Sequence, residues 1–176
     1  MGNDFIGDLH SLAGAPSPGT LPVVSVYTDG ACSPNPGFGG WGSVLISPAH
    51  SNARRELSGA EANTTNNRME LTGALMALKA LKQPCEVTVH TDSRYLCDAF
   101  GKGWLKNWQK NGWRTSQRQP VLNSDLWQEL LGQEKVHKLR WQWVPGHADN
   151  EENNRCDVLA VAARLELART HGAAGS

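Results

Sequence analysis

Apolar positions recur along the chain in two alternating periods. "VVSVYTDG", residues 23–30, is a β-branched run closed by Asp-Gly and predicts a short strand. "ACSPNPGFGG" then reads as a turn, and "WGSVLISP" and "ARRELSGAE" as two further strands in hairpin succession. At residues 64–81, "TTNNRMELTGALMALKAL", the period changes to that of a helix, which Gln83-Pro84 stops. "CEVTVHTD" is a buried strand and "SRYLCDAF" opens a short helix. In "NSDLWQELLGQEKV" the residues Leu126, Trp127, Leu130 and Leu131 keep helical spacing, with Asn123 or Ser124 as cap. "KLRWQWVPG" alternates as a strand, with Trp141 and Trp143 as core or edge packing. "HADNEENN" reads as a polar loop, and Arg155 to Arg169 as a closing helix. Three hairpin-type strands followed by α/β alternation predict an α/β protein: a mixed sheet flanked by helices, without internal repeats.

This pattern divides the chain. Residues 1–21 are polar and Pro/Gly-punctuated towards their end, and read as a disordered N-terminal tail. Residues 22–170 form one domain, interrupted at 101–120 by a Gly-, Trp- and Lys/Arg-rich insertion, and 171–176 are a short C-terminal tail. A chain of 176 residues is long enough to bury a core.

Net charge is zero, so bulk charge announces neither nucleic acid nor membrane. Its distribution does change the picture. No Lys or Arg precedes Arg54, whereas residues 93–120 hold six basic residues against one acid. Cys32, Cys85, Cys97 and Cys156 are scattered without metal-ligand spacing, which predicts free thiols in a reducing compartment. With no apolar span and no signal peptide, the expectation is a cytoplasmic protein, monomeric by default.

The chemistry begins with Glu70. On a helical wheel Gly73, Ala74, Ala77 and Leu81 all lie within about 60° of it. A lone carboxylate therefore sits at the centre of an apolar face, where an unpaired charge costs several kcal/mol or more. A partner Arg is the plain explanation. Three other acids suggest another. Asp29 and Asp92 each close a β-branched strand, and a helical crossover between those strands allows them to run parallel, with both acids at the carboxyl end. Asp157 lies in the first turns of the last helix, beside Ala160, Val161 and Ala168. Singly, these acids read as a hairpin turn, a helix cap and a helix-dipole partner. Together they cannot converge in a low-dielectric site without a cation. Hard oxygen donors suit Mg²⁺, and two such ions would serve phosphodiester hydrolysis.

"YTDGACSPNPGFGGWG", "TTNNRMELTGALMAL", "HTDSRYL" and "WVPGHADNEENNRCDVLA" resemble, in order and spacing, the signature segments of type 1 ribonuclease H in its bacterial form. The resemblance spans about Pro22 to Arg169. It implies the ribonuclease H-like fold, with a five-stranded mixed sheet of three antiparallel and then parallel strands. It implies an endonuclease that hydrolyses the RNA strand of RNA·DNA hybrids, leaving 5′-phosphate and 3′-hydroxyl ends. Asp29, Glu70, Asp92 and Asp157 match the family's catalytic quartet, which binds two Mg²⁺ (Mn²⁺ often substitutes), and His147 matches its loop histidine.

The resemblance also gives the amides a role, since the 2′-hydroxyls of a hybrid's minor groove are read by side chains that both donate and accept. Asn35, Asn66 and Asn67 match hybrid-contacting positions, and Cys32 one beside the RNA backbone. Thr65 and Asn123 match a pocket for a DNA-strand phosphate, though Thr65 and Asn66 also suit helix capping. Residues 101–120 match the basic protrusion that grips the DNA strand, with Lys106, Lys110, Trp113 and Arg114 as contacts. Trp104, Trp108 and Trp113 also read as the packing of that protrusion. Arg94 stands where many relatives carry Gln, and substrate contact is expected there too. Two alternatives are a silent hybrid-binding module, disfavoured by the intact acids, and another nuclease of this fold, disfavoured by the amides and the protrusion.

Overall fold

The computed structural model describes residues 20–146 and 149–174. Most of the segment read as an N-terminal tail, together with His147, lies outside the described residues. Five strands, β1 (Val23–Cys32), β2 (Gly37–Ser47), β3 (Ala53–Thr64), β4 (Glu86–Thr91) and β5 (Lys138–Trp143), form one sheet in the order β3-β2-β1-β4-β5. The β1–β2 and β2–β3 pairs are antiparallel, and β1–β4 and β4–β5 are parallel. The expected mixed sheet is therefore present. Among the described residues five α-helices accompany it, α1 (Asn66–Lys79), α2 (Arg94–Gly101), α3 (Trp104–Lys110), α4 (Ser124–Val136) and α5 (Glu151–Ala174), with a short 3-10 helix at Pro48–His50 between β2 and β3.

The core lies between one sheet face and helices α1, α2 and α4. Val24 and Val26 of β1, Leu45 of β2, and Val87 and Val89 of β4 pack there against Leu71, Leu75 and Leu78 of α1. Trp127 and Leu130 of α4 complete it, both fully buried. Burying such side chains contributes about 1.5–3 kcal/mol each before entropy is charged against it. The three insertion tryptophans continue this core outward. Trp108 lies 6.1 Å from Trp104, 6.5 Å from Trp113 and 5.7 Å from Trp127, ring centre to ring centre. They pack the protrusion onto the domain, as the sequence suggested. Trp141 stacks on Phe100 at 4.4 Å.

Helix α5 takes the opposite face, and the alternation of β2 explains how. Ser43 Oγ donates to Gly73 O of α1 at 2.8 Å, whereas its neighbours Gly40 and Gly42 meet the backbone of α5. A Cβ on Gly40 would collide with Ala160 O, and one on Gly42 with Cys156 O. Residues 37–40, expected as a turn, are therefore strand: the bare Gly40, with Gly42 beyond it, lets α5 lie against the sheet, and strand pairing satisfies the backbone. Across the sheet edge, Arg54 pairs with Glu152, and Arg155 with Glu56 at 2.8 Å, tying β3 to α5. The Arg155 and then the Arg54 guanidinium hold Glu56 down at about 2.

Helix α5 differs from expectation at both ends. Helix α5 begins inside the segment read as a polar loop, because Asn150 Oδ1 accepts from Asn153 N at 3.0 Å, and Glu151 and Glu152 then favour the first turn. It also continues past Arg169 to Ala174, through residues read as a tail. Asn123 takes the expected N-cap position of α4, with φ of 60°, but its side chain makes no capping hydrogen bond.

The close seat of α5 is testable. Gly42→Ala is expected to cost about 1–3 kcal/mol, the usual penalty of overpacking, read as a lower urea midpoint with an unchanged slope.

Candidate active site

The carboxyl ends of β1 and β4 lie side by side in parallel, with Tyr27 in register with His90. Asp29 and Asp92 follow two residues later on each strand. Glu70 arrives from α1, whose first turn crosses the end of β1. The fit is close, since a Cβ on Gly30 would stand 2.7 Å from Glu70 N. Oxygens of Asp29, Glu70 and Asp92 lie within 4.8 Å of one another. Glu70 is 3% exposed and Asp29 7%.

No arginine offsets Glu70. Its Oε2 is buried without a hydrogen-bond partner, so the simple reading of a buried Glu–Arg pair does not hold. Burial, and then the charges of Asp29 and Asp92, push Glu70 well above the usual carboxylate range. Burial and the Asp92 charge likewise raise Asp29 to about 7. Asp29 is itself steadied by the Gly30 amide, which donates to Oδ1 at 3.0 Å. Two raised carboxyls facing a third acid make a site where like charges and burial both disfavour ionisation.

Asp157 stands further out. It lines the same open concavity of about 380 Å³ as the three acids, without joining their inner cluster. Its placement follows from the sheet: Asp29 is opposite Gly42 in register, and Gly42 is where α5 rests through Cys156 O, one residue before Asp157. The concavity is also lined by Asn66, Asn67 and Arg94, all expected, and by Ser93 and Tyr95, which were not. The Arg94 guanidinium lies 3.7 Å from the ring centre of Trp143, whose Nε1 donates to Asp92 O at 3.1 Å. Trp143 thus supports the site, beyond the packing role read from its alternation.

The remaining expected contacts form a rim. Asn35 Oδ1 accepts from Asn66 N at 3.2 Å, and Cys32 Sγ lies 3.4 Å from Thr64 O, so both sit beside the start of α1. Thr65 caps α1, accepting from Arg68 N at 3.1 Å. Asn123 comes to the same place from the far side of the insertion, accepting from Arg68 Nη1 at 3.4 Å. Arg68 is the residue that sequence reasoning missed. It also forms a two-pronged pair with Asp125, at 3.1 and 2.8 Å. Glu61 lies 3.5 Å from its Nε, but Asn123 and Asp125 lie more than fifty residues away, which no local pattern signals. Lys106, Lys110 and Arg114 are exposed on the protrusion, away from the acids, while Trp113 is partly buried among the other tryptophans.

Similarity to known proteins agrees with this geometry. The RNase H family model matches residues 22–164. The chain is 57% identical over 146 residues to Ribonuclease H of Moorella thermoacetica, covering 83% of this chain and 94% of that protein. It is 58% identical over 140 residues to Ribonuclease H of Symbiobacterium thermophilum, covering 80% and 93%. Among solved structures, LC9-RNase H1, a type 1 RNase H with the type 2 active-site motif, superimposes with a TM-score of 0.74 at 32% identity, over 88% of this chain and 75% of that one. LC11-RNase H1 in complex with RNA/DNA hybrid shares the fold at 23% identity and a TM-score of 0.64, over 82% and 98%. With the family model spanning the whole sheet and three acids gathered at its carboxyl edge, the chain belongs to the RNase H family, in its bacterial type 1 form.

Proposed function

We propose that this protein is an endonuclease that hydrolyses the RNA strand of RNA·DNA hybrids with the help of two Mg²⁺ ions, leaving 5′-phosphate and 3′-hydroxyl ends. The observation that carries the reading is the orphaned, buried oxygen of Glu70 facing Asp29 and Asp92. A buried acceptor with no protein donor, among acids that repel one another, fits a divalent cation better than any protein partner. Asp29, Glu70, Asp92 and Asp157 would hold the ions, and His147 is the candidate for carrying a proton nearby. When bound, such a pair supplies a nucleophile at neutral pH and stabilises the leaving oxygen of a phosphodiester.

The chain's own residues account for substrate choice. Asn66 and Asn67 border the acids and offer donors and acceptors to the groove of a hybrid, where 2′-hydroxyls mark the RNA strand. Asn35 is bound to the backbone of Asn66, so the hairpin and the helix start would meet the substrate as one unit. Arg68 joins Thr65 to Asn123 and would hold both at the DNA-strand phosphate. Lys106, Lys110 and Arg114 suit sequence-independent phosphate contacts further along that strand. Arg94, stacked on Trp143, retains donors for the hybrid beside Asp92.

The reading is tested with labelled RNA·DNA hybrid, duplex DNA and duplex RNA, each in Mg²⁺ and in EDTA. Cuts confined to internal positions of the hybrid's RNA strand, and only in Mg²⁺, are expected. Unbroken hybrid bound in Mg²⁺ would point to a silent binding module, and cleaved DNA to another nuclease. Asp29→Asn is expected to abolish cleavage while its far-ultraviolet circular dichroism stays native; retained turnover would remove Asp29 from the quartet.

The same acids predict a pH dependence. Asp29 titrates at about 7 in the folded protein against an ordinary 3.8, so in that window the native state holds a proton that the unfolded chain has lost. Stability without divalent cation therefore falls as pH rises through the window. In EDTA, urea unfolding is expected to give about 2–3 kcal/mol less stability at pH 8 than at pH 5. Asp29→Asn should reduce that difference without removing it, because burial keeps Glu70 raised, and Mg²⁺ should restore stability to the wild type at pH 8.

A further inference from the structure

The hairpin between β1 and β2 carries Asn35 at its exposed tip and Cys32 at its base. Within the hairpin it is closed by Ser33 N, which donates to Phe38 O at 3.1 Å. A short exposed segment of this kind has little burial to hold it, and such segments open at low free-energy cost. Helix α5 passes beside it. Arg164 Nη1 donates to Ser33 O at 3.4 Å, and the ring of His171 meets that of Phe38 edge-on, with centres 5.4 Å apart and planes at 72°. The Arg164 Nε is buried and has no hydrogen-bond partner. The helix is fixed on the sheet at Gly40, where an added Cβ would press on Arg164 N at 2.9 Å. The same helix carries Asp157 seven residues earlier. The family match ends at residue 164, so the His171 contact lies beyond it.

We propose that Arg164 is a positioning residue for substrate binding, holding the β1–β2 hairpin in register with the acid cluster without touching the substrate. The inference rests on the hybrid-cleavage reading given above. A guanidinium that donates to the Ser33 carbonyl from a helix seated on the sheet fixes the hairpin before substrate arrives. Asn35 then meets the groove without an ordering cost at the moment of binding, which is how preorganisation gains affinity. Asn35 does not line the concavity with the acids. Loosening the hairpin therefore weakens the encounter with the hybrid and leaves the bond-breaking step alone. The Phe38–His171 contact braces the same hairpin from the next turns of α5.

The experiment is steady-state cleavage of an RNA·DNA hybrid by wild type, Arg164→Ala, Arg164→Lys and His171→Ala, with hybrid affinity measured in EDTA across a salt series. Arg164→Ala is expected to raise KM about five- to tenfold, the worth of one charge-assisted hydrogen bond, with kcat within about twofold. Arg164→Lys, which keeps a donor for Ser33 O, should recover most of the loss. His171→Ala is at an exposed position that folding tolerates, and should raise KM about two- to threefold. The log–log salt slope of affinity should match wild type in every variant. A slope reduced by about 0.7–0.9 for Arg164→Ala would make Arg164 a direct phosphate contact and overturn the proposal. An unchanged KM, or a fall in kcat that tracks thermal stability, would overturn it as well. If wild type cleaves the hybrid while the variants behave like it, only this inference fails. If wild type leaves the hybrid intact, the functional reading fails and takes this inference with it.

Discussion

The structure is organised around the cost of bringing Asp29, Glu70 and Asp92 together out of water. Burial alone already makes Glu70 and Asp29 costly, and the neighbouring acids add to that cost. Within 4.8 Å of one another, and with two of them buried, they repel and lose hydration together. The fold carries that cost because everything around the cluster is otherwise well packed. Apolar strands β1 and β4 hold the two aspartates in parallel register, and α1 delivers Glu70 across Gly30 at a distance only a glycine allows. The strain of like charges is concentrated at one edge, where a cation relieves it and protonation relieves it in the cation's absence. Raised carboxyl titration, an orphaned Glu70 oxygen and a polar concavity are three expressions of that single constraint.

The groups proposed to recognise the substrate are brought to the rim by the same elements. The start of α1 is the junction. Its cap residue Thr65, its first residues Asn66 and Asn67, and Arg68 two residues before the buried acid all belong to one short stretch. Arg68 then reaches across to Asn123 and Asp125, so the helix start is fastened to the far side of the insertion. Glu70 and the amides that precede it stand on one helix and so keep a fixed separation, which suits the proposed cutting of one strand of a duplex. The exposed cations of the protrusion lie apart from this junction and suit affinity more than discrimination.

Helix α5 connects the two sides of the site by a different route. Its backbone rests on Gly40 and Gly42, so Asp157 is brought opposite Asp29 and Arg164 beside the hairpin. Ion pairs from Arg54 and Arg155 pin its first turns to β3. Exposed ion pairs of this kind contribute little singly. Joined across one edge, they fix the direction in which the helix leaves the site.

Much of this was legible in the residues. Period-2 runs gave the strands, the wheel around Glu70 gave its burial, and strand-ending aspartates gave the cluster, because burial periodicity and strand ends are local properties of a chain. The tryptophan packing of the insertion was legible for the same reason. Helix α5's early start was not, since Asn150 as a cap looks like any loop asparagine until the backbone turns beneath it. The strand at residues 37–40 was hidden because glycines there signal a turn locally, and only a helix on the opposite side explains them as strand. Arg68 shows the same limit most clearly, its partners being set by topology. The sequence by itself determined which groups are present and which face of each element is apolar, since these depend on neighbours within a few residues. Tertiary structure alone decided which acids cluster, which amide meets which arginine and where Asp157 stands, because those distances arise from sheet register and helix seating between segments far apart in the chain.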